Sequence, residues 1–312
     1  MAKYILKRLL YLVMTLWVIA TLTFFLMKCL PGTPFDAERL ALMSASQRAA
    51  LLAHYGLDKP VWQQYFIYLG SLLKGDFGTS FMYVNQNVAS VVTNRLGPSV
   101  LVGAQAVVVG VTIGLALGIV AAWKHNSLID YLTMFLAVLG VSVPNFVMAA
   151  LMQYYLGYKF ALLPVAFWTD WKCSVMPTLA LSLSAIAMVA RFMRTEMLEV
   201  LEQDYITTAR AKGLNNWKVL TRHVIRNSII PVITVVGPII VNLLTGSLVV
   251  ESIFAVPGVG SLFVDSIKAN DYPVIMAVTL FYSAFYMIVV IIMDVTYQLV
   301  DPRIRLAAGS GE

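Results

Sequence analysis

The residues best suited to chemistry or binding lie in one polar, basic stretch, 204–227, which reads DYITTARAKGLNNWKVLTRHVIRN. It carries five Lys or Arg residues and one Asp, in a chain that is 60% hydrophobic and 12% charged. Basic groups on a helix can pair with carboxylates of a partner protein, or lie beneath anionic lipid headgroups. The stretch therefore indicates binding to a protein or to a membrane surface.

Sequence patterns for catalysis and metal binding are missing. The chain contains no Gly-Lys dipeptide, which excludes the usual phosphate-binding loop. Its three histidines, His54, His125 and His223, fall in predicted loops, whereas an intramembrane hydrolase needs a base beside its nucleophile. Neither Cys-x-x-Cys nor His-Glu-x-x-His occurs. We predict a non-catalytic chain that holds no metal and does not hydrolyse ATP itself.

The elements that position this stretch are predicted to be membrane helices. Mean hydropathy is +0.80, and six apolar runs come close to the roughly 20 residues that cross a bilayer. The fourth run is the shortest and contains Pro177, while the fifth contains Pro231 and Pro238. The predicted spans are 9–27, 100–123, 131–156, 173–190, 229–250 and 274–293. The sequence thus predicts an all-α polytopic membrane protein with six transmembrane helices.

The distribution of basic residues predicts the orientation. Thirteen of the 22 Lys and Arg residues fall in segments that are cytoplasmic if the N-terminus is inside. An excess of Lys and Arg marks cytoplasmic loops. We predict that both termini are cytoplasmic. The net charge of +6 then reflects topology and implies no nucleic-acid partner.

The chain divides into four predicted parts. Residues 1–30 form the first span, and residues 31–97 form a long external segment with short helices. Residues 98–306 form a five-helix core that includes a cytoplasmic loop, 191–228. The tail, 307–312, resembles a linker and is left out of the fold. The two cysteines, Cys29 and Cys173, are interpreted as unpaired in preference to a disulfide.

Two short helices are predicted in the external segment. Ser44 or Ser46 caps the first, and Pro60 suits the first turn of the second, which ends near Gly75. Four large apolar residues recur on the second at helical spacing: Trp62, Phe66, Leu69 and Leu73. This stripe either packs on the spans, lies on the membrane surface or receives an external partner. We favour packing on the spans.

Within the basic stretch, the sequence predicts two helices. Asp204 is a good N-cap for the first, and Gly213 fits the left-handed position after its end. Ala209 and Gly213 are four residues apart, so both lie on one face that another backbone can approach closely. The asparagines Asn215 and Asn216 precede the second helix and are suited to cap it.

The second predicted helix runs from Trp217 to Asn227 and is amphipathic. Its basic line consists of Lys218, Arg222 and Arg226. Its apolar residues are Leu220, Val224 and Ile225. A basic amphipathic helix often lies under anionic headgroups, which accounts for these charges. It does not account for the preceding helix with small residues on one face and a glycine at its end.

Several motifs carry a resemblance to a known family. The stretch is similar to the coupling loop of binding-protein-dependent ABC importer permeases, whose general pattern is Glu-Ala-Ala-x-x-x-Gly. Ala209 and Gly213 match this pattern, whereas Thr207 and Thr208 replace its first two residues. The segments TARAKGL and LTRHVIRNSIIP look like the peptide-permease branch of the family. Further similar motifs, in chain order, are PGTPF, GLDKPVWQQY, GDFGTSF, ESIFAVPGVGSLF, NDYPVI and DPRIR.

The resemblance covers residues 3–306 and implies the ABC importer permease fold in a bacterial cell membrane. It implies that the chain forms half of a pore for oligopeptides or dipeptides. The partners would be a second homologous permease subunit, two ATPase subunits and an extracytoplasmic peptide-binding protein. The chain would hold no cofactor, since ATP and Mg would bind to the ATPase subunits. The residues that would contact an ATPase are Asp204, Tyr205, Thr207, Thr208, Ala209, Arg210, Lys212, Gly213 and Leu214.

Polar residues inside apolar helices are candidates for the substrate path. They are Gln105, Asn145, Asn242 and Ser247. The alternative for these four is hydrogen bonding between helices. Two other classes of function remain open for the chain: a secondary transporter or channel that needs no partner, and a membrane scaffold or receptor that transports nothing. The secondary transporter or channel offers no account of the coupling-like stretch, whereas the scaffold or receptor would bind ATPase-like or extracytoplasmic partners.

Overall fold

The computed structural model describes residues 2–29, 35, 42–83, 86–244 and 248–300. Every regular element within these residues is helical, which confirms the predicted all-α class. Helices of the N-terminal third are α1 (Ala2–Cys29), α2 (Ala45–His54) and α3 (Val61–Leu73). The following ones are α4 (Val88–Trp123), α5 (Leu128–Ser142), α6 (Asn145–Met152), α7 (Val175–Leu201), α8 (Asp204–Ala211) and α9 (Asn216–Val219). The last ones are α10 (Ile225–Leu244), α11 (Leu248–Ile253), α12 (Val259–Lys268) and α13 (Tyr272–Val300).

Five helical stretches in the described residues are long and apolar enough to cross a membrane. They are Leu6–Cys29, Val88–Trp123, Trp171–Leu201, Asn216–Leu243 and Tyr272–Met293. A sixth span exists only if the bent pair Leu128–Ser142 and Asn145–Lys159 counts as one. The chain is therefore a multi-pass membrane protein with five or six spans.

The prediction that the third span, 131–156, is a single helix was wrong. The chain bends by 102° between α5 and the segment that begins at Asn145. Pro144 causes the break, because proline lacks an N–H and pushes the residue before it out of the helical region. Val143 accordingly has φ −87° and ψ 123°, an extended conformation.

The fourth and fifth predicted spans also differ at their ends. The stretch that corresponds to the fourth predicted span, Trp171–Leu201, is the most buried of the five stretches that could cross a membrane. Its helix runs well beyond the predicted end at residue 190, through Leu201. The fifth stretch is helical from Asn216, well before the predicted start at residue 229, and helical residues are described through Leu244 and again in α11. Pro231 and Pro238 lie inside α10, as predicted.

Two compact units are distinguished within the chain. The first unit comprises residues 1–97 and 257–287, and the second comprises 98–256 and 288–312. In the first unit, Phe24 of α1 packs with Tyr272, Ile275 and Met276 of α13. The carboxylate of Asp271 accepts hydrogen bonds from the Ser80 hydroxyl and from the N–H groups of Phe81 and Met82.

In the segment 31–97, the predicted cap at Ser44 is confirmed, but the predicted packing face is not. Ser44 forms a capping box with Gln47 at the start of α2, and Pro60 precedes α3. The face of α3 that packs inside the first unit carries Tyr65 and Tyr68. The predicted apolar stripe is largely exposed, since Trp62, Phe66 and Leu73 are 62%, 63% and 91% accessible.

Candidate functional site

The first predicted helix of the basic stretch is present as α8. Its N-cap is Gln203, whose side chain makes no capping hydrogen bond, and Asp204 is the first helical residue. The predicted N-cap at Asp204 was therefore wrong by one position. In the first turn, the Asp204 carboxylate still interacts favourably with the positive end of the helix dipole.

The end of α8 has the hydrogen bonds of a Schellman motif. Gly213 has φ +79°, and its N–H donates to the carbonyl of Arg210 at 2.9 Å. The N–H of Leu214 donates to the carbonyl of Ala209 at 3.4 Å. A Cβ at position 213 would meet nothing within 4 Å. The predicted left-handed position is confirmed, and glycine suits it because of its backbone conformation and not because of close packing.

The two faces of α8 differ sharply in burial. Ile206 and Ala209 are 0% and 6% exposed and belong to the core cluster that contains Met197, Val219 and Val224. The small side chain of Ala209 thus serves packing inside the chain, which corrects the expectation that it shares an open face with Gly213. Of the nine residues predicted to contact an ATPase, all but Ala209 are exposed: Asp204, Tyr205, Thr207, Thr208, Arg210, Lys212, Gly213 and Leu214.

The second predicted helix begins as expected but does not stop at Asn227. The side chain of Asn215 caps it by accepting from the N–H of Lys218 at 2.9 Å. After α9, one π-helical turn, Leu220–Val224, leads into α10, so the helix continues to Leu244. The basic residues Lys218, Arg222 and Arg226 are exposed and Leu220 and Val224 are buried, which confirms the amphipathic pattern.

Polar contacts attach this region to the neighbouring helices. Asn227 donates from its amide nitrogen to the Tyr205 hydroxyl at 3.3 Å and to the His223 carbonyl at 2.8 Å. The Ser228 hydroxyl donates to the Val224 carbonyl at 2.9 Å and lies 3.3 Å from the Glu196 carbonyl of α7. Only Glu202 and Gln203 separate α7 from α8. These contacts connect α8 to both α7 and α10.

An open cleft of about 550 Å³ lies beside the exposed residues of α8. Its polar lining residues include Arg210, Asn216 and Glu202. The end of α4 and the loop after it contribute Trp123 and His125. The cleft therefore combines charged groups of both signs with an apolar wall.

An ion pair near this cleft was not predicted from the sequence. Asp130 of α5 is 1% exposed, and its carboxylate accepts from Arg194 of α7 at 2.6 Å and 2.8 Å. The N–H of Asn126 donates to it at 3.1 Å, and the ring of His125 lies 3.2 Å away. The signal available in the sequence was one acid at the start of an apolar helix and one arginine within an apolar run.

A close contact between α4 and α7 was also missed. A Cβ added at Gly110 would lie 2.8 Å from the Cβ of Ala185, and one at Gly114 would lie 2.7 Å from the Cβ of Val189. At Gly118 it would lie 2.5 Å from the carbonyl oxygen of Ala190. The three glycines repeat every four residues, which is the small-residue spacing of packed membrane helices.

The polar residues proposed for the substrate path lie in different surroundings. Gln105 accepts from the Thr178 hydroxyl at 2.9 Å, and Asn145 lies 3.5 Å from the Ser184 hydroxyl, so both reach α7. Interhelical hydrogen bonding therefore accounts for Gln105 and, more weakly, for Asn145. Asn242 is exposed. Ser247 lies outside the described residues.

Cys29 and Cys173 are both free thiols, the first exposed and the second buried.

Two family models cover most of the chain. Residues 114–306 match the model described as the binding-protein-dependent transport system inner membrane component. Residues 1–99 match the model of the N-terminal part of such membrane components. The matches lie on both sides of the segment 100–113.

Curated relatives are similar over almost the whole length. A dipeptide transport system permease protein of Lactococcus lactis is 48% identical over 98% of this chain and 100% of its own length. One of Bacillus subtilis is 45% identical over 98% of this chain and 99% of its own length. An oligopeptide transport system permease protein of Escherichia coli is 38% identical over 98% of this chain and 100% of its own length.

Solved structures support the fold. A chain of an amino acid ABC transporter, solved with histidines, has a TM-score of 0.53 and 15% identity, covering 68% of this chain and 92% of that one. A chain of the inward-facing MetNI methionine ABC transporter has a TM-score of 0.56 and 13% identity. The match covers 68% of this chain and 97% of that one. Together with the family models and the relatives, this establishes that the chain belongs to the family of binding-protein-dependent transport system inner membrane components.

Proposed function

We propose that this chain is one of two permease subunits in an ATP-driven importer of dipeptides or oligopeptides. Family membership and the names of the relatives support the permease role and the peptide cargo. The observation that carries the coupling role is α8, a short helix with one face buried in the chain's own core and exposed charged groups on the other. Such a helix is held firmly while its outer face remains accessible to a partner.

In this proposal α8 is a coupling helix that sits on a separate ATPase subunit. Arg210 and Lys212 pair with acidic residues of the ATPase, and Thr207 and Thr208 lie against its surface. Tyr205, 44% exposed, and Leu214, 36% exposed, serve as apolar anchors at either end of the contact. Gly213 ends the helix, and the chain continues into α9. ATP and Mg bind to the ATPase, and this chain needs no cofactor.

The packing around α8 provides a route for movement into the membrane helices. Its connection to α7 is two residues long, and Ile206 is fully buried against the core. Movement of α8 therefore displaces α7 with it. The Asp130–Arg194 pair then connects α7 to the start of α5. A helix group of this kind is suited to switch between two arrangements when its partner closes on ATP.

The remaining partners follow from the proposed importer. The pore lies between this chain and a second, homologous permease subunit, and an extracytoplasmic binding protein delivers the peptide. Gln105, Asn145, Asn242 and Ser247 remain proposed as residues of the path, where weak polar contacts suffice because the binding protein selects the cargo. Both termini face the cytoplasm in this arrangement.

Purification of the assembled complex tests the proposal. The full chain is tagged, extracted from its native membrane in a mild detergent, and its bound proteins are identified by mass spectrometry. We expect a second permease and two ATPase subunits, and ATP-dependent peptide uptake after reconstitution with the binding protein. A chain that purifies without ATPases and still transports peptides in liposomes would instead be a secondary transporter.

A further inference from the structure

A pocket in the first unit has no role in the proposed coupling. It is partly enclosed, with a volume of about 190 Å³, and lies at the C-terminal end of α1. Phe24 and Lys28 line it from α1, Tyr68 from α3 and Tyr272 from the start of α13. Typical ligand pockets measure about 300–1,000 Å³. This pocket therefore suits a small group or one end of a larger molecule.

Lys28 places a positive charge against the aromatic wall of the pocket. Its ammonium lies 5.5 Å from the ring centre of Phe24 and 5.9 Å from that of Tyr272. It donates one hydrogen bond, of 2.5 Å, to the side-chain oxygen of Gln64. A lysine ammonium has three N–H donors, and Gln64 is its one hydrogen-bond acceptor among the described residues. Lys28 therefore has donors available to a bound anion.

Tyr68 adds a second donor that lacks an acceptor. Its hydroxyl is buried and has no hydrogen-bond partner among the residues that the structure describes. Burial, with a smaller contribution from Tyr65, raises the pKa of Tyr68 to about 12, so the hydroxyl keeps its proton at neutral pH. An unpaired buried hydroxyl destabilises a protein unless something binds to it. One residue that lines the pocket thus carries a hydroxyl that still needs an acceptor.

The charge of the lining favours an anion. Lys28 and Lys59 both line the pocket, and none of its described lining residues is acidic. The amide nitrogen of Gln64 donates to the carbonyl of Lys59 at 2.6 Å, which orients the amide oxygen toward Lys28. The shared chemistry of the occupants that fit is an oxyanion, such as a phosphate or a phosphodiester.

The position of Lys28 identifies the source of that oxyanion. The residue lies in the last turn of an apolar span, Leu6–Cys29, which is the level of the lipid headgroups. Leu22, Phe25 and Leu26 on the same part of α1 are 58%, 46% and 61% exposed, so acyl chains can lie beside the pocket. We propose that the pocket binds the phosphodiester of an anionic phospholipid through Lys28 and the Tyr68 hydroxyl.

The experiment titrates the purified full chain with short-chain phosphatidylglycerol and measures binding by native mass spectrometry. Phosphatidylcholine of the same chain length and glycerol phosphate are titrated in parallel. The variant Lys28→Gln removes the charge, and Lys74→Gln, at an exposed lysine outside the pocket, is the matched control. We expect wild type and Lys74→Gln to prefer phosphatidylglycerol, and Lys28→Gln to bind it roughly ten- to a hundredfold more weakly.

A second variant separates binding from folding. Tyr68→Phe removes only the unpaired hydroxyl, so it should leave the lipid-free melting temperature unchanged or higher and weaken phosphatidylglycerol binding about fivefold. Unchanged lipid affinity in both Lys28→Gln and Tyr68→Phe would overturn the proposal. Glycerol phosphate that competes as strongly as the lipid would overturn the lipid assignment in favour of a soluble anion.

Discussion

The guanidinium of Arg194 on α7 holds the carboxylate of Asp130 on α5 through two hydrogen bonds, 2.6 Å and 2.8 Å long. The carboxylate is 1% exposed, and the Arg194 side chain is 22% exposed. A bidentate pair of this kind fixes the relative rotation of two helices as well as their distance. It therefore holds α7 in one register against α5, directly before the chain continues into α8.

Breaking this pair should destabilise the protein strongly. Asp130→Asn leaves the Arg194 guanidinium, 22% exposed, without its anion, so the cost should lie below the about 3–5 kcal/mol of a fully buried pair. We expect a clearly lower melting temperature of the purified protein. Arg191→Gln changes an exposed arginine on the same helix and should have little effect. Equal melting temperatures for Asp130→Asn and Arg191→Gln would show that the pair contributes nothing to stability.

Substitutions at Gly213 should follow backbone preference and not side-chain size. The residue has φ +79°, and a Cβ there meets nothing within 4 Å. A left-handed conformation costs most residues about 1–2 kcal/mol, whereas Asn adopts it more readily. Gly213→Asn should therefore retain most ATP-dependent uptake, and Gly213→Val should lose much of it. The measurement is uptake by reconstituted complexes that contain equal amounts of each variant.

The opposite ranking at this position would have a different meaning. If Gly213→Val transported normally while Gly213→Asn did not, the left-handed turn would be irrelevant to coupling. Side-chain contacts with a partner would then decide the outcome.

The glycine repeat on α4 should be intolerant of even one methyl group. An alanine Cβ at Gly118 would lie 2.5 Å from the carbonyl oxygen of Ala190, so α4 and α7 would have to separate. We expect Gly118→Ala to lower the melting temperature. Gly70→Ala, on α3, is the control, because a Cβ there meets nothing within 4 Å and alanine favours a helix by up to about 1 kcal/mol. A Gly118→Ala protein as stable as wild type would contradict the close packing of these helices.

Reversal of charge on α8 should weaken retention of the ATPase subunits. Arg210 and Lys212 are exposed, so the double change Arg210→Glu and Lys212→Glu should leave folding intact while it repels an acidic surface. The measurement is the amount of ATPase that copurifies at low and at high salt. Lys74→Glu, which reverses the charge of an exposed lysine outside α8, is the control. Retention that is equal for both proteins at every salt concentration would exclude charge pairing as part of the contact.

Much of the coupling region follows from local sequence. Asn215 caps its helix and Gly213 takes a left-handed turn, because both conformations are determined by residues within one or two turns. The position of Asp204 differs by one residue, since helix ends are the least determined part of a helix. The burial of Ala209 required knowledge of the neighbouring core and was not predictable from its size.

Longer-range features were harder to predict. The average hydropathy of residues 131–156 conceals the bend, although Pro144 marks its position. The Asp130–Arg194 contact joins residues 64 apart, and neither residue alone indicates its partner. In the segment 31–97, helical spacing identified the apolar residues of α3, but Tyr65 and Tyr68 form the packed face. Spacing shows which residues share a face, and the surrounding helices decide which face is buried.

The measurement that tests the central claim most directly is photo-crosslinking from α8 in the assembled complex. Benzoylphenylalanine is introduced at the exposed Thr207, and in a control protein at the exposed Lys74, which directly follows α3. After irradiation, adducts are identified by mass spectrometry. The account predicts an adduct between position 207 and an ATPase subunit, and none between position 74 and an ATPase. A transport-competent complex in which position 207 gives no ATPase adduct, while position 74 does, would contradict the assignment of α8 as the coupling helix.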